Sequence, residues 1–242
     1  QADTPELAYQ GGVGIGRFQA LLADFHEPLV ETIKGFHNMR WRFQQWDESV
    51  ARNAAGRVDS CLEEIEWIES RRNEMLDFAA LIENGTIPCR VTHNDTKISN
   101  ILFDAKTREV LCAIDLDTVM SASVLNDVGD ALRCYTNTGA EDAKDLSTVS
   151  MSLEMFTAYI RGYLSEMGPS LCPAELDYLA FSGRYITFEQ VLRFLMDYLD
   201  GDTYYKTKYP EHNLVRARAQ YKLLQSMEAQ FPQMCEIVAS LR

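Results

Sequence analysis

Two stretches constrain this chain more than any others: His93-Asn94-Asp95-Thr96-Lys97-Ile98-Ser99-Asn100, and Ile114-Asp115-Leu116-Asp117 shortly after it. The first reads H-x-D-x-K-x-x-N. It runs into an apolar triplet, Ile101-Leu102-Phe103, then a polar turn at 104–109, then a second apolar run from Val110 to Ile114. Short apolar runs on either side of turn residues predict a β-hairpin. A hairpin returns the chain to where it started, so Asn100 and Asp115 are expected side by side. Asp95 stands one short loop away. Three oxygen-bearing side chains then converge at one mouth.

Phosphoryl transfer needs that set. A carboxylate orients and deprotonates the attacking hydroxyl, hard oxygen ligands hold Mg²⁺ against a triphosphate, and a cation meets the transferring group. Protein kinases place an Asp and an Asn four residues apart in the catalytic loop and a metal-binding Asp beyond a hairpin. Asp95 and Asn100 have the same spacing. Asp95 is the candidate base and Lys97 the cation that neutralises developing charge. Asn100 and Asp115 are the candidate Mg²⁺ ligands, with Asp117 a further one. Where kinases have Arg after the His, this chain has Asn94.

Each residue also has a plainer reading. Asn94, Asp95 and Thr96 are all turn and cap formers, and His93 reads as a ring that hydrogen-bonds backbone and braces the loop. Asp127 and Asp130 suit the first turn of a helix, where acids favour the macrodipole. Only the ordered conjunction of the parts points to phosphotransfer.

The runs His93–Asn100, Ile114–Asp117 and Asp127-Val128-Gly129-Asp130 resemble the aminoglycoside phosphotransferase and choline kinase family of small-molecule kinases. Within it, the longer strings from His93 to Asp104 and from Ile114 to Met120 look most like the kinases of N-acetylhexosamines. The resemblance covers the chain from about Tyr9 to its last helix. It implies ATP and Mg²⁺ as cofactors and a small hydroxylated acceptor, most simply a sugar. It implies that Leu102 and Ile114 floor an adenine pocket, that Asp130 braces the catalytic loop, and that Arg193 and Tyr204 contact the sugar. Choline or ethanolamine, homoserine and aminoglycoside kinases remain alternatives, as does a relative that binds ligand without turnover. A quaternary ammonium would need an aromatic cage, for which Trp41, Trp46 and Trp67 are the available tryptophans.

The fold class that follows is mainly α (α+β): the helical C-terminal lobe of a protein-kinase-like fold with one catalytic β-hairpin. Residues 1–242 form a single lobe. Residues 1–90 supply helices after the hinge, 91–130 the catalytic loop, hairpin and metal-binding segment, and 131–242 a helical substrate-binding subdomain. The small β-lobe with its glycine loop and nucleotide-binding Lys has no counterpart run of strands in this sequence. The N-terminal lobe is therefore an expected partner missing from the chain, and the chain alone is expected to be inactive.

Gly11-Gly12-Val13-Gly14-Ile15-Gly16 invites reading as a phosphate loop, but no strand precedes it. Leu7, Gly11, Gly14, Phe18 and Leu21 fall near helical spacing, so small residues on one helix face, packed close to a neighbour, are expected instead. Residues 24–60 are mixed, with Phe25-His26, Phe36-His37 and Trp41-Arg42-Phe43 reading as a loop with aromatic anchors. His26 and His37 in it lack partners at metal spacing and read as exposed or packing residues. Val58, Leu62, Ile65, Ile68, Met75, Phe78, Leu81 and Ile82 predict one helix over 57–83, stopped at Asn84-Gly85. Thr118 to Asn126 reads as a polar loop, with a helix starting near Ala131.

Further helices are expected along Leu146–Leu164, from Pro173, over the nearly all-apolar 184–199, and from Leu214 onward. Arg193 could instead pair with Glu189 or Asp197, each four residues away. Arg216, Arg218 and Lys222 read as a solvated basic face. Arg133 could pair with an acid or face substrate.

The chain carries 36 acids and 23 bases, a net charge of −13. That argues against sequence-independent nucleic-acid binding, which rests on Lys and Arg meeting phosphates. No stretch reads as a membrane span or a signal peptide, so no membrane partner is expected. Six cysteines without C-x-x-C spacing suit a cytoplasmic protein with reduced thiols.

Overall fold

The structure is a computed structural model and describes residues 3–25, 27 and 29–242. His26, whose role was left between exposed and packing, lies outside them. Helices dominate, and among the described residues the only sheets are two antiparallel strand pairs.

Helix α1 spans Pro5–Leu21, capped by Thr4 with Pro5 in its first turn. The glycine run lies inside it, as the missing strand implied. Its glycines do not share one face, however. A Cβ on Gly12 would stand 2.2 Å from the Tyr159 carbonyl oxygen, and one on Gly16 2.8 Å from that of Tyr163. Both carbonyls belong to α6, Leu153–Met167. Gly14 faces Val110 on the hairpin, and Gly11 faces the Tyr135 ring. The glycines thus let α1 lie against three neighbours at once. Gly162 of α6 reciprocates, meeting the Tyr9 carbonyl.

The segment expected to be a loop contains α2, Met39–Arg52, capped by Asn38. Met39, Phe43 and Trp46 are buried at i, i+4 and i+7, a helical stripe obscured by the charged residues between them. The single helix expected over 57–83 is broken. After a 3-10 turn at Val58–Ser60 come α3, Leu62–Glu69, and α4, Arg72–Glu83. The break falls at Ser70-Arg71, where Arg71 turns its side chain to Glu228 at 2.7 and 2.8 Å.

Strand β1, Arg90–Thr92, pairs antiparallel with β4, Met120–Ala122. The stretch expected to be a polar loop therefore contains a strand that anchors the start of the His93–Asn100 loop. Strands β2, Ile101–Phe103, and β3, Val110–Ala113, form the expected hairpin, with Ile101 opposite Ala113. Helix α5, Val124–Tyr135, starts at the Ser123 cap, seven residues before the expected Ala131. Helix α6 begins only at Leu153, because 146–148 is a separate 3-10 turn.

The two helical stretches expected after Pro173 are one helix, α7, Pro173–Leu199. At 27 residues it is about 40 Å long, and most of its second half is buried, as the apolar run predicts. Helices α8, His212–Ala229, and α9, Phe231–Leu241, complete the chain. No helix among the described residues is long and apolar enough to cross a membrane. All six cysteines are free thiols.

Candidate active site

The loop from His93 to Asn100 joins β1 to β2, and its shape is set from below by α5. Asp127 is fully buried. Its carboxylate accepts the backbone N–H of Asn94 at 2.6 Å and of His93 at 2.9 Å, and the Gln19 side-chain amide at 2.8 Å. Burial pushes the Asp127 carboxyl up, and the amides pull against that. One turn on, Asp130 accepts the Thr96 N–H at 3.0 Å and pairs with Arg133 at 2.9 Å. The resemblance assigned the brace to Asp130 alone; here Asp127 takes the two amides flanking the loop's turn. A carboxylate three residues before another puts both on one helical face, which was the available signal. Arg133, left open from sequence, pairs with Asp130 and with Glu141 at 2.9 Å.

His93 is buried, and its ring sits between Nε2 and the Ile114 carbonyl at 2.8 Å and the Asp95 N–H on Nδ1 at 3.3 Å. Since Nδ1 accepts, Nε2 carries the proton. Phe18 meets the ring edge-on at 5.7 Å. The loop is tied to the metal-side segment as well. The Thr118 hydroxyl donates to the His93 carbonyl at 2.6 Å, and the Asn94 side-chain amide donates to the Thr118 carbonyl at 2.9 Å.

Asp95 stands at the mouth. Its Oδ2 receives the Lys97 ammonium at 2.5 Å and the Asn100 side-chain amide at 2.9 Å. Burial pulls Lys97 down, but Asp95 outweighs it and holds the ammonium charged. The Asn100 amide also donates to the Asp95 carbonyl at 2.9 Å. Both donor contacts go to oxygens, so the Asn100 amide nitrogen is the committed end and its oxygen is left for a cation.

The hairpin brings Asn100 to Ile114, whose N–H donates to the Asn100 carbonyl at 2.9 Å. Asp115 follows directly, in a left-handed conformation with φ 64°. The side chains of Asp115 and Asp117 are exposed and take no protein hydrogen bond among the described residues. Asn100, Asp115 and Asp117 offer oxygens without protein partners, the donor type Mg²⁺ accepts, and Asp115 is near enough to act on the Lys97 ammonium. Among the described residues no group of three or more His, Cys, Asp or Glu is placed to hold a metal. Leu102 is 44% exposed on the hairpin and Ile114 is half-buried.

A cavity of about 440 Å³ opens beside Asp95 and Lys97, walled by α7, α8 and the loops at 29–38 and 200–211. Arg193 and Tyr204 both line it. Neither ion pair open to Arg193 from sequence forms. Glu189 is taken by His37 at 2.7 Å and Arg42 at 3.3 Å. Asp197 accepts the backbone N–H groups of Thr203, Tyr204 and Tyr205 at 2.8–3.0 Å, and the Asn213 amide at 2.8 Å. Arg193 instead lies among the rings of Phe36, Tyr204 and Tyr205, 5.6–5.9 Å from each centroid.

Two residues read as peripheral belong to this cavity. Arg216 is not on a solvated face: it lines the cavity, and its Nε is buried without a partner. Its neighbour Arg218 pairs with Glu64 at 2.5 Å. His37 is neither exposed nor mere packing. Its ring is buried between Glu189 and the Asn94 carbonyl.

Residues 2–150, more than half the chain, match the phosphotransferase enzyme family, and the chain belongs to it. Among solved structures the chain is similar to an ADP-bound aminoglycoside phosphotransferase, APH(2'')-Ib. The TM-score is 0.51 at 14% identity, with 94% of this chain and 67% of that one covered. An ethanolamine kinase of Plasmodium vivax is similar at a TM-score of 0.50 and 15% identity, over 89% of this chain and 61% of that one. At these identities the likeness is one of fold. This chain spans about two thirds or less of either protein.

Proposed function

We propose that this chain is the acceptor-binding and catalytic lobe of an ATP- and Mg²⁺-dependent kinase of a small hydroxylated molecule. The proposed acceptor is a sugar and the closest reaction that of an N-acetylhexosamine 1-kinase. One observation carries the reading. Asp95, steadied by Lys97 and Asn100 through the same oxygen, faces a cavity large enough for a monosaccharide. In this reading Asp95 accepts the proton of the attacking hydroxyl and Lys97 meets charge developing on the transferred group. Asn100, Asp115 and Asp117 would hold Mg²⁺, which when bound neutralises the phosphate oxygens. Leu102 and Ile114 would give the adenine apolar contact. With Leu116, which is 54% exposed, they form the surface on which a second lobe would close.

The electrostatics favour a sugar over the cationic acceptors. In a chain of net charge −13, the cavity is lined by Lys97, Arg133, Arg193 and Arg216 against Asp95, Asp130 and Glu141. Choline, ethanolamine and aminoglycosides would be repelled there. The rings that could cage a quaternary ammonium already surround Arg193. The tryptophans do not supply a cage. Trp46 is core, Trp67 stacks on Tyr221 at 3.9 Å, and Trp41 lies outside this cavity. Guanidinium groups also suit a polyhydroxyl ligand, presenting several donors in fixed geometry.

The test is phosphoryl transfer from labelled ATP by the enzyme carrying this lobe, against N-acetylhexosamines, choline, ethanolamine and an aminoglycoside. Transfer to the sugars alone is expected. Transfer to choline or the aminoglycoside, with none to sugars, would overturn the acceptor assignment and leave the phosphotransfer reading standing.

A further inference from the structure

We propose that His37 is a positioning residue for the catalytic loop: an imidazolium that donates from both ring nitrogens, to Glu189 and to the Asn94 carbonyl, and so fixes where Asp95 stands. The chemistry of its two partners carries this. Nδ1 lies 2.7 Å from a Glu189 carboxylate oxygen and Nε2 lies 3.2 Å from the Asn94 backbone oxygen. A carbonyl only accepts, and so does an ionised carboxylate. Satisfying both contacts therefore takes a proton on each nitrogen, which is the charged form.

Glu189 is poised to keep that charge. Its other oxygen accepts from Arg42 of α2 at 3.3 Å, and it is 1% exposed. Burial pulls the His37 ring toward neutrality; Glu189, with a smaller contribution from Asp130 on α5, reverses this against the opposing Arg193, leaving its pKa raised. The contact matters because of where it lands. Asn94 is the residue before the base and holds a left-handed backbone, φ 65°, as does His37 at φ 53°. Asn94 is gripped from the opposite side by Asp127 through its N–H. His37 takes the carbonyl of the peptide whose nitrogen belongs to Asp95. Removing the second grip frees that peptide to tilt and swing the base.

The segment carrying His37 is itself fixed. The Gly35 N–H donates to Glu31 at 2.7 Å, and the Thr32 hydroxyl donates to the Asp117 carbonyl at 3.1 Å. The loop between α1 and α2 thus touches both sides of the site, the base side through His37 and the metal side through Thr32. The inference rests on the phosphotransfer reading only for the role of Asp95. The clamp can be measured without turnover.

The experiment is a pH titration of the 242-residue chain by imidazole ¹⁵N and backbone amide NMR, with His37→Gln used to identify the His37 signals. Both His37 nitrogens should carry protons below the ordinary histidine midpoint of about 6.5, and the ring should lose one only above it. The amides of Asp95 and Thr96 should shift along the same curve. In the complete enzyme, turnover should fall on the alkaline side with the same midpoint, and that limb should vanish in His37→Gln, with the KM for ATP unchanged.

A His37 ring that loses its proton at or below the ordinary midpoint of about 6.5, or Asp95 and Thr96 amides indifferent to its titration, would overturn the proposal. So would a His37→Gln enzyme whose only defect is a raised KM for the acceptor, since that marks a ligand. If His37→Gln does not fold, the His37 signals are identified in wild type through their nuclear Overhauser contacts with the Phe36 ring, 4.4 Å away, and the wild-type amide titration decides.

Discussion

The Asp127 carboxylate takes the Asn94 backbone N–H at 2.6 Å across 33 residues of sequence. With the His93 N–H on its other oxygen, it makes α5 the mould for the turn that presents Asp95. Asp127→Asn keeps the size but turns one acceptor into a donor facing a donor. The cost is expected at about 1–3 kcal/mol. The melting temperature should drop by roughly 2–4 °C for each kcal/mol, and turnover should fall with it. Calorimetry of the variant, showing an unchanged melting temperature, would remove Asp127 from this role.

Asp95→Asn should lower turnover by at least about 10²-fold, the scale for losing a general base. Its neighbours Lys97 and Asn100 lose a charged acceptor but keep an oxygen. Nucleotide affinity should therefore survive, as measured by calorimetric titration with Mg·ATP. Near-normal turnover would exclude Asp95 as the base.

Arg193→Ala should raise the acceptor KM far more than the KM for ATP, because the structure leaves Arg193 without a carboxylate partner. The same absence predicts a modest change in melting temperature. A stability loss with an unchanged ratio of the two constants would mean that the guanidinium serves the rings around it and the charge on Glu189, not the acceptor.

Stability should depend on pH through the pair His37–Glu189. Burial acts to raise the Glu189 carboxyl, but His37, Arg193 and Arg42 overcome it and hold the pKa down at about 2, against a reference of 4.5. Its contribution is present above pH 4.5 and lost as pH falls through about 2. His37 is shifted up, so its contribution is full below pH 6.5 and lost as pH rises through the raised value. Urea unfolding should thus give a stability plateau between these limits. Glu189→Gln should lower it by about 3–5 kcal/mol, as expected when one partner of a buried pair is removed.

Gly12→Ala tests the α1–α6 contact. The added methyl would meet the Tyr159 carbonyl at 2.2 Å, against backbone that cannot step aside. Overpacking of this kind costs about 1–3 kcal/mol or more. Gly85→Ala is not a fair control, because φ there is +79°. Ala54→Gly, on the exposed turn after α2, is. Equal melting temperatures for Gly12→Ala and wild type would show that the helices are not in this contact.

What could be read from sequence was whatever is local. The hairpin, the buried run at 184–199 and the helical glycine run each carry their signal within sixteen residues or fewer. The His93–Asn100 spacing likewise placed Asp95, Lys97 and Asn100 in contact at one mouth. What was missed depends on distant partners. Helix α2 hides its stripe behind Arg40, Arg42 and Glu48, and Arg42 turns inward only because Glu189 waits 147 residues away. Strand β4 is three residues long and is defined by its pairing with β1. His37 looks solitary until α7 delivers Glu189. Arg216 reads as a surface cation because the cavity it faces is built by the loop that precedes its helix.

The knot at Asp197 has a consequence for how such a lobe could change its ligand. One buried carboxylate at the end of α7 collects three consecutive amides, Thr203 to Tyr205, and so anchors the whole turn that presents Tyr204 and Tyr205 to the cavity. The span between Leu199 and His212 is therefore a detachable cassette. Asp197 is its main socket, Arg57 and Asn213 hold Asp202 beside it at 2.7 and 2.9 Å, and Tyr204 is 70% exposed. New side chains, or a longer insert, can be grafted there while α7 and the machinery around Asp95 stay as they are. Lineages that diversify their acceptors would be expected to write most of their changes into this cassette and to leave its socket alone.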